Sequence, residues 1–211
     1  MTRRIGLVAL LAAFLFPSAV AEADNPRLVG LVGTNDAFVI SLRDASGNLV
    51  THIDPGTYDI AVSDRSGLHQ FTLSGPGVTQ ATGVEEVADT TWTVTFTDGR
   101  YVFFCAPHST SMRGWFTVGN VPPTAVAASV GPRKTISVKP KSALAGPVTF
   151  TVNDRSRTDN FHLVGPGVNK KTGVKTRGKV TWALNLSPGT YTYRSDKTKK
   201  LRGSFSVRFP A

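Results

Sequence analysis

The sequence has little of the chemistry that builds disulfide frameworks, large metal clusters or common hydrolase sites. Its 211 residues include one cysteine, two methionines and four histidines. A single cysteine excludes an intramolecular disulfide. The chain has no G-x-S-x-G elbow, no H-E-x-x-H pair and no phosphate-binding glycine loop, which excludes the enzyme classes that those motifs mark. Beyond residue 21, no segment is apolar enough to span a bilayer.

Residues 1–21 have the composition of a secretory signal peptide. Two arginines precede a twelve-residue apolar run at 5–16, and the small-residue pattern Ala-Val-Ala follows at 19–21. Twelve apolar residues are too few to cross a bilayer comfortably, and this order of features is typical of cleavable leaders. We expect cleavage after Ala21 or alternatively after Ala23, and a mature protein that is secreted or periplasmic and not membrane-spanning.

The remainder of the chain contains an internal repeat at an offset of 90 residues. The repeated segments are 64–66 with 154–156, 75–78 with 165–168, 82–84 with 172–174, and the aromatic pairs Phe71 with Phe161 and Trp92 with Trp182. Repetition over such a distance indicates two copies of one domain. The sequence therefore predicts domains at 22–121 and 122–211, joined at 119–124 by a short proline-containing linker.

Both copies have the pattern of β-strands. In the first copy, apolar and polar residues alternate along 57–64 and 91–96, which is typical of strands half buried against a sandwich core. Glycine- and proline-containing turns separate these runs at short intervals. We find no amphipathic helical pattern of three turns, so the predicted fold class is all-β, with two tandem Greek-key β-sandwich domains.

The segment 101–118 carries the chemistry of the chain. It holds Cys105, His108 and Met112, spaced C-x2-H-x3-M, between two predicted strands. Once the leader is removed, Cys105 is the single thiol and Met112 the single thioether. A thiolate, an imidazole and a weak axial thioether are ligands of a blue-copper site, which needs a second histidine. A buried inert thiol or an intermolecular disulfide is the alternative interpretation of Cys105.

Two segments together resemble the bacterial cupredoxins of the plastocyanin and pseudoazurin kind. They are His69 followed by QFTLSGPGV, and YVFFCAPHSTSM ahead of RGWFTV. The resemblance implies one type 1 copper ion with the metal ligands His69, Cys105, His108 and Met112. Two positions depart from the family: Gln70 stands where Asn is usual, and Thr72 stands where close relatives often carry another histidine. The Gln70 departure affects a residue that steadies the ligand loop, and no ligand is missing.

The second copy lacks the ligand set. Its aligned residues are Asp159 for His69, Ser195 for Cys105, either Lys197 or Thr198 for His108 after a one-residue deletion, and Leu201 for Met112. We therefore expect 122–211 to be a degenerate cupredoxin-like domain without metal. His162 and His52 do not fall on ligand positions, and we expect both to be ordinary polar side chains.

The histidine count also limits the function. Four histidines cannot supply the His-x-His pairs of a multicopper oxidase, and the same shortage argues against a nitrite reductase. We expect a protein that is not an enzyme and that transfers one electron at a time through its copper to a redox partner. Non-redox copper binding, delivery or sequestration is the alternative, and a structural or adhesive pair with a relic site is a third interpretation.

Charge divides the two copies. Residues 22–121 contain 5 Lys+Arg and 11 Asp+Glu, a net charge of −6, whereas 122–211 contain 17 and 3, a net charge of +14. The bland interpretation is a solvated basic face that aids solubility. The functional alternative is binding of an anionic envelope polymer, a membrane surface or an acidic protein. The basic runs lack interleaved aromatic residues, so no nucleic-acid partner is expected. A third arrangement would pack the basic copy against the acidic one.

Overall fold

The computed structural model describes residues 24–210. The predicted signal peptide at 1–21 and both predicted cleavage sites lie outside the described residues. Within that range the chain is built of β-strands, and the helical elements are two short 3-10 turns, Thr34–Asp36 and Ala106–His108. The predicted all-β fold class is confirmed. None of the helices in residues 24–210 has the length and hydrophobicity to cross a membrane.

In the first half, nine strands form two facing sheets across residues 27–118. They are β1 Arg27–Val32, β2 Ile40–Asp44, β3 His52–Ile53, β4 Gly56–Asp64, β5 Thr72–Gly75, β6 Val78–Ala81, β7 Ala88–Phe96, β8 Gly99–Phe104 and β9 Arg113–Val118. One sheet has the order β2-β1-β4-β7 and the other the order β3-β9-β8-β5-β6. The β1–β4 and β3–β9 pairs are parallel, and the other pairs are antiparallel.

The second half repeats this arrangement strand for strand. Its strands are β10 Thr124–Val130, β11 Ile136–Lys139, β12 Ser142–Leu144, β13 Gly146–Asp154, β14 His162–Gly165, β15 Val168–Lys171, β16 Gly178–Leu186, β17 Gly189–Arg194 and β18 Arg202–Arg208. The sheet orders are β11-β10-β13-β16 and β12-β18-β17-β14-β15. The register repeats as well, since the pair of Ile60 with Trp92 recurs as the pair of Phe150 with Trp182.

Each half buries a hydrophobic cluster between its own two sheets. In β4 the alternation expected from the sequence places Ile60 and Val62 in the core. An aromatic stack bridges the sheet interior in both halves: Phe71 lies 5.8 Å from Phe103, and the equivalent rings of the second half, Phe161 and Tyr193, lie 5.9 Å apart. Offset aromatic pairs at these distances add to the free energy gained by burial.

The two halves touch through side chains of the first half. Nε of Arg100 donates to the carbonyl of Ala145 at 2.8 Å, and the Arg113 guanidinium lies 4.1 Å from the centre of the Phe209 ring. Trp115 packs against the core cluster of the second half. Among residues 24–210, no ion pair joins the halves. The basic surface of the second half is therefore not neutralised by carboxylates of the first.

Candidate metal centre

The strand order brings the predicted ligands to one end of the first sandwich. His69 lies in the loop before β5, and Cys105 directly follows β8, which pairs with β5 in antiparallel register. His108 closes the short 3-10 turn after Cys105, and Met112 directly precedes β9. His69, Cys105 and Met112 are buried, whereas His108 is half-buried.

Three of the four side chains converge on one point. The Nδ1 atoms of His69 and His108 are 3.1 Å apart, and Sγ of Cys105 lies 3.7 Å from the first and 3.5 Å from the second. The point equidistant from these atoms is about 2.0 Å from each, close to the roughly 2.0–2.3 Å of protein metal–nitrogen and metal–sulfur bonds. The group is thus a candidate metal site, and its donor set fits copper.

Neighbouring backbone groups contact the side chains of two predicted ligands, His69 and Cys105. The Nε2 atom of His69 lies 3.4 Å from the carbonyl oxygen of Asp36, so a proton on Nε2 leaves Nδ1 with a free lone pair for a metal. The backbone N–H of Gln70 donates to Sγ of Cys105 at 3.4 Å. The Gln70 side chain donates elsewhere, to the carbonyl of Thr82 at 3.0 Å.

Backbone hydrogen bonds close the segment that carries three of the predicted ligands. The N–H of Cys105 donates to the carbonyl of Met112 at 3.0 Å, and the N–H of Met112 donates to the carbonyl of His108 at 2.9 Å. The N–H of His108 in turn donates to the carbonyl of Cys105 at 3.1 Å. These bonds fix the C-x2-H-x3-M segment as a compact turn, and Met112 is buried in the same core cluster as Cys105.

A buried carboxylate supports the strand that follows His69. Oγ1 of Thr82 donates to Asp64 at 2.5 Å and accepts from the N–H of Phe71 at 2.9 Å. Burial raises the pKa of Asp64, and the hydrogen bond from Thr82 opposes that rise. The second half has the same bonds, from Thr172 to Asp154 and from the N–H of Phe161 to Thr172. Because the network recurs in a half without ligands, its role is structural.

Sequence reasoning missed Asp36 and Phe38, which both lie on the loop after β1. The Phe38 ring contacts the rings of His69 and His108 edge-on, with centroids 5.1 and 4.7 Å away, although Phe38 itself is 62% exposed. The Gly-Thr-Asn-Asp run at 33–36 has a composition typical of turns, which is the one signal that could have drawn attention to this loop. Nothing local to that run indicated that the turn would fold over the ligands.

An apolar surface surrounds the half-buried edge of His108. Phe38, Leu68, Val84 and Val87 are exposed large side chains in this region of the first half. The cavity beside the site is lined by Phe38, Gly67, Leu68, His69, Val84, Glu85, Pro107 and His108. Contiguous exposed apolar side chains of this kind often mark a protein-binding surface.

The equivalent end of the second half is closed by hydrogen bonds instead of ligands. Ser195 donates from Oγ to the buried Asp159 at 2.8 Å. The N–H of Ser195 donates to the carbonyl of Leu201, and the N–H of Leu201 donates to the carbonyl of Thr198, as in the first loop. The position of His108 is therefore taken by Thr198 and not by Lys197. Burial raises the pKa of Asp159, but hydrogen bonds from Thr198, Ser195 and Thr158 outweigh this effect and lower the pKa.

The two remaining histidines have ordinary polar partners, as expected. His162 is buried, with Nδ1 2.7 Å from a carboxylate oxygen of Asp196 and Nε2 2.6 Å from the amide oxygen of Asn169. The hydrogen bond from His162 lowers the pKa of Asp196. Nδ1 of His52 lies 2.9 Å from the hydroxyl of Thr117 at the sheet edge.

No protein-family model and no curated protein matches the chain. Solved structures with a similar fold include a copper-containing nitrite reductase from Thermus scotoductus (12% identity, TM-score 0.28, covering 87% of this chain and 61% of that one). They also include a variant of amicyanin in its reduced Cu(I) form (18% identity, TM-score 0.31, covering 42% of this chain and 87% of that one). A third is reduced rusticyanin (22% identity, TM-score 0.32, covering 44% of this chain and 77% of that one). The chain spans less than two thirds of the nitrite reductase. Each half of the described chain is a cupredoxin-like sandwich, as its two sheet orders and the turn between its last two strands show.

Proposed function

We propose that the protein is an exported one-electron carrier with a single type 1 copper site in its first half. The observation that carries this proposal is the triangle formed by Cys105 Sγ and the Nδ1 atoms of His69 and His108, with sides of 3.1–3.7 Å. Met112 would add a weak thioether ligand. Export rests on the sequence of residues 1–21.

Contacts within the protein hold the predicted ligands in place. When bound, copper supplies a one-electron couple between Cu(II) and Cu(I). The Asp36 carbonyl orients the His69 ring, the Gln70 N–H donates to Sγ of Cys105, and the closed loop fixes His108. Because these groups are already ordered and largely buried, a change of oxidation state requires little movement of the chain.

Electrons would enter and leave at His108. Its half-buried ring is the ligand nearest to solvent, and the exposed apolar side chains Phe38, Leu68 and Val84 border the same surface. A redox partner protein that covers this surface would bring its own centre close to the copper ligand and exclude water between the two. Phe38, which touches both histidine rings, would lie at the centre of that contact.

The second half would act as a docking module for an anionic envelope surface or an acidic protein. Its net charge is +14, and among residues 24–210 no ion pair with the first half neutralises it. Long-range attraction of this kind is screened over about 8 Å at physiological ionic strength, so docking should weaken with salt. Holding the carrier at an anionic surface would raise its local concentration near membrane or envelope partners.

The test is to load the purified mature protein with Cu(II) and measure its visible spectrum, copper stoichiometry and reduction potential. We expect one copper per chain, an intense band from the copper–thiolate bond and a reversible one-electron couple. Met112→Leu should retain the copper and raise the potential, because the axial bond is long and weak. A wild-type protein that takes up no copper would overturn the proposal. Transfer of its copper to an acceptor, without a reversible couple, would favour delivery or sequestration.

A further inference from the structure

A basic pocket lies at the end of the second half that corresponds to the copper end of the first. The loop after β10, the loop after β13 and the chain before β16 meet there around a cavity of about 350 Å³. Five cationic side chains line the cavity, four of them arginines, and all five residues are exposed: Arg133, Lys134, Arg155, Arg157 and Arg177.

These cations have no anionic partner in the described chain. Among residues 24–210, none of the five makes an ion pair or a side-chain hydrogen bond. One carboxylate borders the cavity, that of Asp159, and it is buried and already accepts hydrogen bonds from Ser195 and Thr158. Like charges crowded around one cavity repel each other, and a bound anion would relieve that repulsion.

Comparison of the halves shows that these charges are not a requirement of the fold. The loop Gly33 to Asp36 and the loop at 131–134 share left-handed φ angles at matched residues: φ is 54° and 57° at Asn35 and Asp36, and 63° and 52° at Arg133 and Lys134. Asparagine and aspartate tolerate this left-handed region better than other residues with a side chain. Arginine and lysine therefore stand where the backbone alone would favour shorter polar residues, which is a cost that a binding role would explain.

Two further cations replace uncharged residues of the first half. At the offset of 90, Arg157 takes the place of Gly67 and Arg177 that of Val87, whereas Arg155 has an arginine counterpart in Arg65. In the first half that arginine pairs with Asp89 at 2.8 Å, and at the same offset Lys179 replaces the aspartate. The second half has thus both gained cations and lost the anion that would neutralise one of them.

We propose that this pocket binds a multiply charged phosphate group. Guanidinium groups bind carboxylates and phosphates alike through paired N–H donors, but five cations around one cavity favour a multiply charged phosphate over the single charge of a carboxylate. The inference deepens the docking role proposed above for the second half, and it does not depend on copper in the first. The shared ligand chemistry is a phosphoryl group, carried either on a free polyphosphate chain or on a phospholipid headgroup.

The test uses the full mature chain, with inorganic tripolyphosphate as the probe in calorimetric titrations at fixed ionic strength. The pocket variant is Arg155→Gln with Arg157→Gln. The control variant is Lys139→Gln with Arg208→Gln, which removes the same charge at the other end of β11 and β18. A second pocket variant, Arg133→Gln with Arg177→Gln, alters different loops in case the first does not fold.

Loss of two charge-assisted hydrogen bonds should weaken tripolyphosphate binding about tenfold or more in each pocket variant. The control should change it less than about threefold. Equal weakening in pocket and control variants, or no binding by the wild type, would overturn the pocket. Sedimentation with phosphatidylglycerol vesicles, compared with phosphatidylcholine vesicles, tells whether the phosphoryl group belongs to a lipid headgroup or to a free polyphosphate. If it belongs to a headgroup, the pocket variants should also lose binding to the phosphatidylglycerol vesicles.

Denaturant unfolding of each variant checks that the second half is folded, and the copper band of the first half separates the two proposals. A protein that shows the band but does not bind tripolyphosphate retains the carrier function and loses the pocket. A protein that binds tripolyphosphate through the pocket but takes up no copper supports the pocket and overturns the carrier function. If the pocket and control variants lose vesicle binding equally, the proposed docking through overall charge is supported and the proposed phosphate pocket is overturned.

Discussion

The two halves of the chain have the same sheet orders, but they carry different side chains around the loop between their last two strands. In the first half, Cys105, His69 and His108 point their donor atoms at a common centre, and in the second half Ser195 bonds directly to Asp159. In both loops a backbone hydrogen bond joins the ends, from Cys105 to Met112 in the first loop and from Ser195 to Leu201 in the second. The comparison teaches that this turn forms in a half that lacks the predicted ligand side chains, so those side chains are not needed to shape it.

The buried hydrogen bonds behind the loop are the same in the two halves, whereas the side chains at the ligand positions differ. The buried bonds from Thr82 to Asp64 and from Thr172 to Asp154 are both 2.5 Å long. The scaffold behind the site is therefore the same in the two halves. What differs is the identity of the side chains that project from it, and variants at matched positions can separate those contributions.

The largest effect is expected from removing the thiolate. Cys105→Ser gives the first half the residue that the second half has naturally, and the copper–thiolate band should disappear completely because the transition needs the sulfur. The measurement is the visible spectrum of the Cu(II) protein. The matched control, Ser195→Ala, should leave the band unchanged. An unchanged spectrum in Cys105→Ser would contradict the assignment of the ligand.

A graft in the opposite direction should produce a second, weaker copper site. The graft consists of Asp159→His, Ser195→Cys, Thr198→His and Leu201→Met. Its affinity should be lower than that of the first site, because the second loop is one residue shorter and the surrounding cations repel a metal ion. Copper stoichiometry should rise from one towards two per chain. The same graft without Ser195→Cys is the control, and a complete graft that binds no copper would show that ligand identity alone does not distinguish the halves.

Alanine at two matched glycines should destabilise both halves but disturb copper in one. A Cβ at Gly33 would lie 2.5 Å from Cβ of Ser66 and 3.1 Å from the His69 ring, whereas a Cβ at Gly131 would meet atoms of Ser156 at 2.8–2.9 Å. Both glycines have left-handed φ angles, so each change should cost about 1–3 kcal/mol in unfolding free energy. Denaturant unfolding measures the cost. We expect Gly33→Ala to shift the copper band and Gly131→Ala to leave it in place; a shift in both would mean that the band reports general instability.

The smallest effect concerns acid stability of the second half. The pKa of Asp159 is lowered in the folded state, so this carboxylate contributes stability at neutral pH that is lost as the pH falls through the folded pKa, below the unfolded value of about 3.9. Asp159→Asn should make unfolding free energy fall less steeply in this range. Denaturant titrations between pH 7 and 3 provide the comparison. Part of the dependence of unfolding free energy on pH should remain, because the pKa of Asp196 is also lowered. If the Asp159→Asn variant showed the same pH dependence as the wild type, the role of Asp159 would be contradicted.

Local patterns were sufficient for the fold class and for most of the site. Alternation along β4 and β7 predicted strands, and the short spacing of Cys105, His108 and Met112 placed them on one turn. His69 could be added because the segment after it resembles a known family. The all-β class and the cupredoxin-like fold are confirmed, and the structure brings His69, Cys105 and His108 together.

Features that depend on loop geometry could not be predicted from the sequence. The contact of Phe38 with two histidines needs the left-handed turn before it and the packing of that turn across the sandwich. The choice between Thr198 and Lys197 required the backbone hydrogen bonds of the second loop. The pocket around Arg133 joins three segments that are far apart in the chain, so charge counts indicated a basic half without indicating where its cations meet.

Arg113 gives the two halves a thermodynamic connection. It follows the ligand Met112 directly, stacks on Phe209 and donates to the carbonyl of Pro210, near the end of the chain. Any ligand that binds the folded loop shifts the equilibrium toward every contact made by that state. Copper uptake should therefore reduce fraying of the C-terminal segment, and anchoring of that segment should in turn slow the loss of copper. Metal occupancy and the order of this segment are then linked through Arg113, beside the contacts that Arg100 and Trp115 make between the halves.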